Sequence, residues 1–544
     1  MQTVNPKRSN TMKDRISELP DEILVHILSF LSLRNAARSG ILSRRWRHLW
    51  KSVPSLNFDF VNKLGPGRDS KGLNKYQFVD WVNAVLDLYQ GKSLDEFRIH
   101  CTLGVDLASS IDSWIHFAID KKVKRMDLDF LTRLDFFPVS LKYTFPSCNP
   151  VETVTSVEYV SLSSCILTLP GIGKFRSLKH LFLDRVELVD EVLQHLLSNC
   201  SSLEYLNLQR AAKLVSVKVD ASSSKLKCLM IYYCLSLKCV DIYASNLITF
   251  TYVGHKVDLK SAPSLTEVSF CVGNHSCEDR LTYAGVQFAG SLHQLEKLVL
   301  QVSPHEVSRG IGVLPTLCNL KVLVLWVSSK EDSVTAFIQL LDLSPLLRRL
   351  ELHLMYLRSQ PGPSRTEITS ESVHRQLEEV EVGGFFGFED EIQLLEHVVK
   401  NAVALKKIVI DPCRKDLSAS GKSVEAGNSF PFNGRLQTAR KHAQHFCERI
   451  PPSINVEKVE AIFGIWSLSL HSVISKGILF WDANDVKMAQ LNAKAMRTFF
   501  CALGVSENNR ELEKWDKLEW THEGTNQVKE SKDECPLLTM SCFK

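Results

Sequence analysis

Leu178-Lys179-His180-Leu181-Phe182-Leu183 places three leucines at the spacing L-x-x-L-x-L. Read as a strand, its last four residues send Leu181 and Leu183 to one face and His180 and Phe182 to the other. The same spacing occurs upstream at Leu94-x-x-Phe97-x-Ile99, Val123-x-x-Met126-x-Leu128 and Val157-x-x-Val160-x-Leu162. Downstream it returns at Leu203, Leu226, Leu247, Leu265, Leu295, Leu320, Leu347, Leu377 and Leu405. One copy says little, because any buried strand can supply it. An ordered series requires an array in which each copy gives one short strand and covers its neighbour.

The thirteen copies step by about 26 residues on average, within the range of leucine-rich repeats though irregular. The expected fold is therefore α/β: a leucine-rich-repeat solenoid over residues 94–375, with parallel strands on its concave face. Outward strand positions would meet a partner. Tyr, Trp and Arg are common anchors of protein interfaces, which makes Tyr205, Tyr232, Trp326 and Arg349 the candidate target-binding residues. His180, Phe182, Asn207, Met230, Glu351, His353, Glu379 and Glu381 share that face in the same register. Cys165 and Cys234 follow their strands where this repeat type tolerates cysteine or asparagine, and read as buried spacers.

Ahead of the repeats, Leu19-Pro20-Asp21-Glu22-Ile23-Leu24 opens a helix. Pro20 suits the first turn, and two acids sit at the positive end of the helix dipole. Ser32 and Ser43 can cap two further short helices, the last carrying Trp46, Leu49 and Trp50 on one face. Three such helices cannot enclose that much apolar surface alone, so part of it should meet a partner. Leu19 to Leu24, followed by Leu42-Ser43-Arg44-Arg45-Trp46-Arg47-His48-Leu49-Trp50, is similar to the F-box of plant F-box proteins. The resemblance implies binding to a Skp-family adaptor, and through it to a cullin scaffold and a ubiquitin-charged enzyme. Leu19, Pro20, Ile23, Leu24, Ile27, Leu28, Leu42 and Trp46 would touch the adaptor. The basic run Arg44, Arg45, Arg47 and Lys51 reads as the solvated face of the third helix.

After the repeats, residues 376–456 resemble the C-terminal part of FBD-like plant F-box/leucine-rich-repeat proteins. The resemblance rests on Gln376 to Val382, Leu394 to Asn401, Leu405 to Pro412, Ala439 to Ala443 and Arg449 to Pro452. A strand, helix, strand order there would close the array. Residues 457–544 resemble a fragment of the gag region of copia-type retroelements, on Trp481 to Met496 and Trp515 to Lys532, with a helix expected around Val486 to Leu503. The remaining boundaries are a disordered lead-in at 1–13, the F-box at 14–60 and a linker with an amphipathic helix, Phe78 to Leu86, at 61–93.

Composition narrows the function. The 65 basic and 61 acidic residues leave a net charge of +4, too balanced to argue for nucleic acid. Fifteen cysteines, an odd number without a CxxC pair, suit reduced thiols in the cytoplasm or nucleus. No clean run of about 20 apolar residues calls for a membrane span. HExxH, GxSxG, phosphate loop and dinucleotide turn are all missing. His442 and His445 have helical spacing but no third ligand, and His275 near Cys271 and Cys277 has no second ligand pair. No catalytic residue, metal or cofactor is expected. The reading is a non-catalytic receptor subunit of a ubiquitin ligase, and the alternative is a repeat scaffold with no ligase connection.

Overall fold

The structure, a computed structural model, describes residues 19–41, 43–59, 75–101, 105–130, 142–146, 156–169, 175–220, 225–243, 246–260, 264–272, 279–327, 333–354, 370–411 and 432–458. The features expected at residues 1–13, at Leu42 and in the tail beyond residue 458 lie outside that set. The described residues fall into two compact units, 19–130 and 142–458.

The first unit opens with α1 (Asp21–Leu28), α2 (Leu33–Arg38) and α3 (Trp46–Leu49). Pro20 is the N-cap of α1 rather than its first residue, and Asp21 and Glu22 occupy the first turn. The Ser32 hydroxyl accepts from the Asn35 N–H at 3.4 Å, and Ser43 Oγ accepts from Trp46 N–H at 3.4 Å. Three parallel strands follow, β1 (Ser55–Asp59), β2 (Glu96–His100) and β3 (Arg125–Asp129), with α4 (Lys75–Leu88) and α5 (Ala108–Asp120) between them. Register places Leu56 beside Phe97 and Phe97 beside Met126. Phe78, Trp81, Val82 and Val85 of α4, and Ile111, Trp114, Ile115 and Ala118 of α5, recur at helical spacing and are buried. The result is an aromatic core: Phe58 lies 5.1 Å from Trp81 and 6.0 Å from Phe97 between ring centres.

The strand β1 lies inside the stretch expected to belong to the helical plug. Val53-x-x-Leu56-x-Phe58 has the repeat spacing, and all three residues are buried. On sequence it falls within the F-box boundary of 14–60 and is not counted among the repeats.

The second unit contains β4 (Tyr159–Ser163), β5 (His180–Asp184), α6 (Asp190–Asn199), β6 (Tyr205–Gln209), β7 (Ser216–Val219), β8 (Cys228–Tyr232), β9 (Cys239–Ile242), β10 (Thr249–Gly254) and β11 (Asp258–Lys260). It continues through β12 (Glu267–Val272), α7 (Arg280–Gln287), β13 (Lys297–Val302), α8 (Pro304–Gly310), β14 (Val322–Val327), α9 (Ile338–Asp342) and β15 (Arg349–Leu354). The last elements are β16 (Glu379–Gly383), α10 (Glu389–Asn401), β17 (Lys407–Asp411), α11 (Phe432–Glu448) and β18 (Asn455–Lys458). Within this unit the strands β4-β5-β6-β8-β10-β12-β13-β14-β15-β16-β17-β18 form one parallel series, and β7-β9-β11 form a small second sheet. All thirteen copies of the spacing fall on strands of the first or second unit, with their inward leucines, valines and isoleucines buried. The second sheet was not foreseen. Leu214-x-x-Val217-x-Val219 and Leu237-x-x-Val240-x-Ile242 show the same spacing, so spacing alone does not say to which sheet a strand belongs.

Each early strand turns at a residue in the left-handed region: Ser164, Arg185, Arg210 and Tyr233 have φ of 57, 53, 51 and 54°. Their N–H groups donate to Asp184, Gln209, Tyr232 and Val253 carbonyls at 2.9, 2.8, 2.8 and 2.6 Å, carrying the ladder around the bend. Cys165 and Cys234 follow directly and are buried, which pushes their thiols up to about 12 and about 11.

At the far end, β18 pairs with β17, and Ala439, Ala443 and Phe446 bury one side of α11. The turn into α10 is organised by a single buried carboxylate. Glu391 Oε2 accepts the N–H groups of Phe386, Gly387 and Phe388 at 3.0, 2.8 and 3.3 Å. Burial raises this carboxyl to about 8, against the opposing pull of those three N–H groups. Gly387 has φ of +80°, and a Cβ there would collide with His442 of α11.

Candidate functional site

Two surfaces carry the expected interaction residues. On the three-helix plug, Leu24 and Leu28 have no exposure and Trp46 is 2% exposed. They hold the helices together rather than face outward, because α1 packs its Leu24 and Leu28 stripe against the later turns. Ile23 is 46% exposed and Pro20 is also exposed, while Leu19 and Ile27 are half-buried. These four are the expected adaptor residues that reach the surface; Leu42 is not described. Arg45 is no idle surface charge. Its Nε donates to Asp21 Oδ1 at 2.6 Å and its Nη2 to the Leu19 carbonyl at 2.5 Å, which ties the approach to α3 to the start of α1. That staple holds Leu19, Pro20 and Ile23 in one presentation.

The second surface is the outward face of the long strand series. Register puts His180 beside Tyr205, and Asn207 between Phe182 and Met230. The His180 and Tyr205 rings stack at 4.6 Å and 9°. Tyr205 is 38% exposed and stays available as an anchor. Tyr232 does not: it is 5% exposed and packs with Val253 and Cys271, with Met230 and Trp326 against them. Burial raises its phenol. Strand neighbours cover it, since register sets Gln209 and Val253 on either side.

Trp326 is half-buried, with the His353 ring 4.3 Å away. Arg349 is engaged rather than open. Its guanidinium lies 2.7 Å from Glu351, 3.1 Å from Glu379 and 3.1 Å from Glu381. Burial would lower its pKa, but the three carboxylates outweigh burial and raise it. Asn207 is the residue whose state the sequence did not disclose. It is buried, its Nδ2 reaches only the Met230 thioether at 4.0 Å, and its Oδ1 has no hydrogen-bond partner. The available signal was an amide placed between Phe and Met in one outward row.

No group of three His, Cys, Asp or Glu among the described residues could hold a metal ion. No helix among them is long and apolar enough to cross a membrane.

This geometry agrees with the comparisons. Residues 85–458 match the family model described as At1g61320/AtMIF1, LRR domain, and residues 16–58 match the F-box domain. The chain belongs to the F-box/leucine-rich-repeat family. It is 34% identical to F-box/LRR-repeat protein At3g58900 of Arabidopsis thaliana over 44% of this chain and 72% of that protein. F-box/LRR-repeat protein 25 of Arabidopsis thaliana is 31% identical over 39% of this chain and 77% of its own. F-box/FBD/LRR-repeat protein At2g04230, also from Arabidopsis thaliana, is 27% identical over 74% of this chain and 89% of its own. As an F-box/leucine-rich-repeat protein, the chain joins one helical module to one repeat array.

Proposed function

We propose that this chain is the target-recognition subunit of a Skp-cullin-F-box ubiquitin ligase. The observation that carries the reading is the F-box match at residues 16–58, on a helical plug that leaves Pro20 and Ile23 open to a Skp-family adaptor. The strand face of the repeats would bind the target protein, with Tyr205 and Trp326 as its first anchors. The subunit performs no bond chemistry of its own. It would raise the local concentration of the target's lysines near a ubiquitin-loaded enzyme, an effect of proximity. Its buried cysteines suit a reducing compartment, the cytoplasm or the nucleus. The FBD-like reading of the far end is supported by the strand, helix, strand order of β16, α10 and β17 and by the name of one relative.

The test is retention of purified Skp-family adaptor by the full chain and by its Ile23→Asp variant. Ile23 is exposed, so the charge leaves the plug's core intact, whereas Leu24→Asp would unfold it. Retention that falls at least about tenfold in Ile23→Asp is expected for an interface anchor. Absence of adaptor binding by the unmodified chain leaves the repeat-scaffold reading.

A further inference from the structure

We infer that Arg45 is a positioning residue for adaptor recognition: its side chain fixes the Leu19-Pro20 entry to α1 in the orientation that the adaptor meets. The inference rests on the F-box reading proposed above, and it adds a residue outside the expected contact set.

The entry to α1 needs a hold from elsewhere. Pro20 has ψ of 153° and makes no side-chain cap bond, so the chain leaves the helical path there and Leu19 lies outside the first turn. A proline side chain has no acceptor with which to cap. Its carbonyl starts the helix by accepting the Ile23 and Leu24 N–H groups, at 3.1 Å each. On the Leu19 side of that carbonyl, the hold comes from a residue 26 positions away: Arg45 Nη2 donates to the Leu19 carbonyl at 2.5 Å. Arg45 Nε donates to Asp21 Oδ1 at 2.6 Å. One guanidinium thereby clasps the residues on both sides of Pro20. The rigid fork of arginine suits two acceptors at once, whereas lysine offers a single point charge.

The backbone from which Arg45 reaches is itself fixed. Trp46, the next residue, is 2% exposed, and Ser43 Oγ accepts its N–H at 3.4 Å. Gly40 lets the preceding turn approach so closely that a Cβ there would lie 3.1 Å from Arg47 Cα. The clasp therefore runs from a packed turn to an entry that lacks a cap of its own.

Pro20 and Ile23 are the exposed residues of this entry, and Leu19 is half-buried. A surface ordered before it meets its partner avoids the loss of conformational freedom on binding. Without the clasp, that loss falls on the adaptor complex and weakens it. The rival role for Arg45 is a direct charge contact with the adaptor, and the two differ in what lysine does at this position.

The experiment uses the full chain and purified Skp-family adaptor. Dissociation constants are measured for the unmodified chain, Arg45→Lys, Arg45→Gln, Asp21→Asn and the double variant Asp21→Asn/Arg45→Gln. Arg45→Lys and Arg45→Gln should each weaken binding about fivefold, and Asp21→Asn less, because the Leu19 half of the clasp remains. The double variant should bind within about twofold of Arg45→Gln alone, since both changes break one contact. In the free chain, amide hydrogen exchange should quicken at Ile23 and Leu24 in Arg45→Gln while β1 keeps its rates. Full binding by Arg45→Lys overturns the inference in favour of a charge contact. Weaker binding with unchanged exchange at Ile23 and Leu24, or effects of Asp21→Asn and Arg45→Gln that multiply, also overturns it. Exchange quickened throughout α1, α2 and α3 would assign Arg45 to folding instead, and overturn it as well. Equal binding by all five chains overturns the clasp and leaves the F-box reading standing, whereas no binding by the unmodified chain overturns both.

Discussion

At the residue scale, the informative positions are those whose chemistry disagrees with their surroundings. Asn207 is buried between Phe182 and Met230 with one amide atom unpaired. A buried amide atom without a partner costs about 1–3 kcal/mol. Asn207→Leu keeps the volume and removes the polar group, so it should raise the stability of the second unit by about 1 kcal/mol in a denaturant titration. An unchanged or lowered midpoint would show that the amide is satisfied after all. Arg349 teaches the opposite lesson. It was legible as an outward residue, but the pairing of β15 with β16 decides what its guanidinium meets, because Glu379 and Glu381 lie about 30 residues downstream.

At the element scale, α10 depends on a carboxyl that folding makes harder to ionise. Glu391 sits near 4.5 when unfolded and at about 8 when folded. The folded chain therefore holds this proton more tightly. Stability from this group is fully present below pH 4.5 and is lost as pH rises toward 8, by about 1.4 kcal/mol per unit of separation. Glu391→Gln carries no ionisable proton and can still accept the three N–H groups. Its stability should change less than that of the unmodified chain between pH 5 and 8, and exceed it at pH 8.5. Parallel slopes in the two chains would remove Glu391 as the cause. The three-helix plug shows how a motif is divided by packing. Helical spacing put Leu24, Leu28 and Ile23 together, but a helix stripe wider than its contact leaves its edge exposed, and Ile23 is that edge.

At the scale of the whole molecule, each strand of the second unit pairs with the strands of the copies just before and after it, so damage should spread from the point where it is made. Deleting residues 432–458 removes α11 and β18 and uncovers the edge of β17. Hydrogen exchange should then quicken most in β17 and β16 and least in β4 and β5, and the truncated chain should aggregate more readily. Uniform loss of protection would mean that the unit melts as one cooperative body. The amino-acid sequence by itself determined the class, though not the number of strands: thirteen copies of one spacing require stacked strands whatever the details, because an apolar residue at every second position has to be covered by the next copy. It also marked the plug, since proline, acids, capping serines and tryptophans act within a few residues of one another. Tertiary structure alone decided which strands turn aside into the β7-β9-β11 sheet, that β1 joins the repeats, and that Tyr232 is covered while Tyr205 is not. Those outcomes depend on contacts between copies about 25 residues apart, and local spacing does not encode how such neighbours fill the space between them.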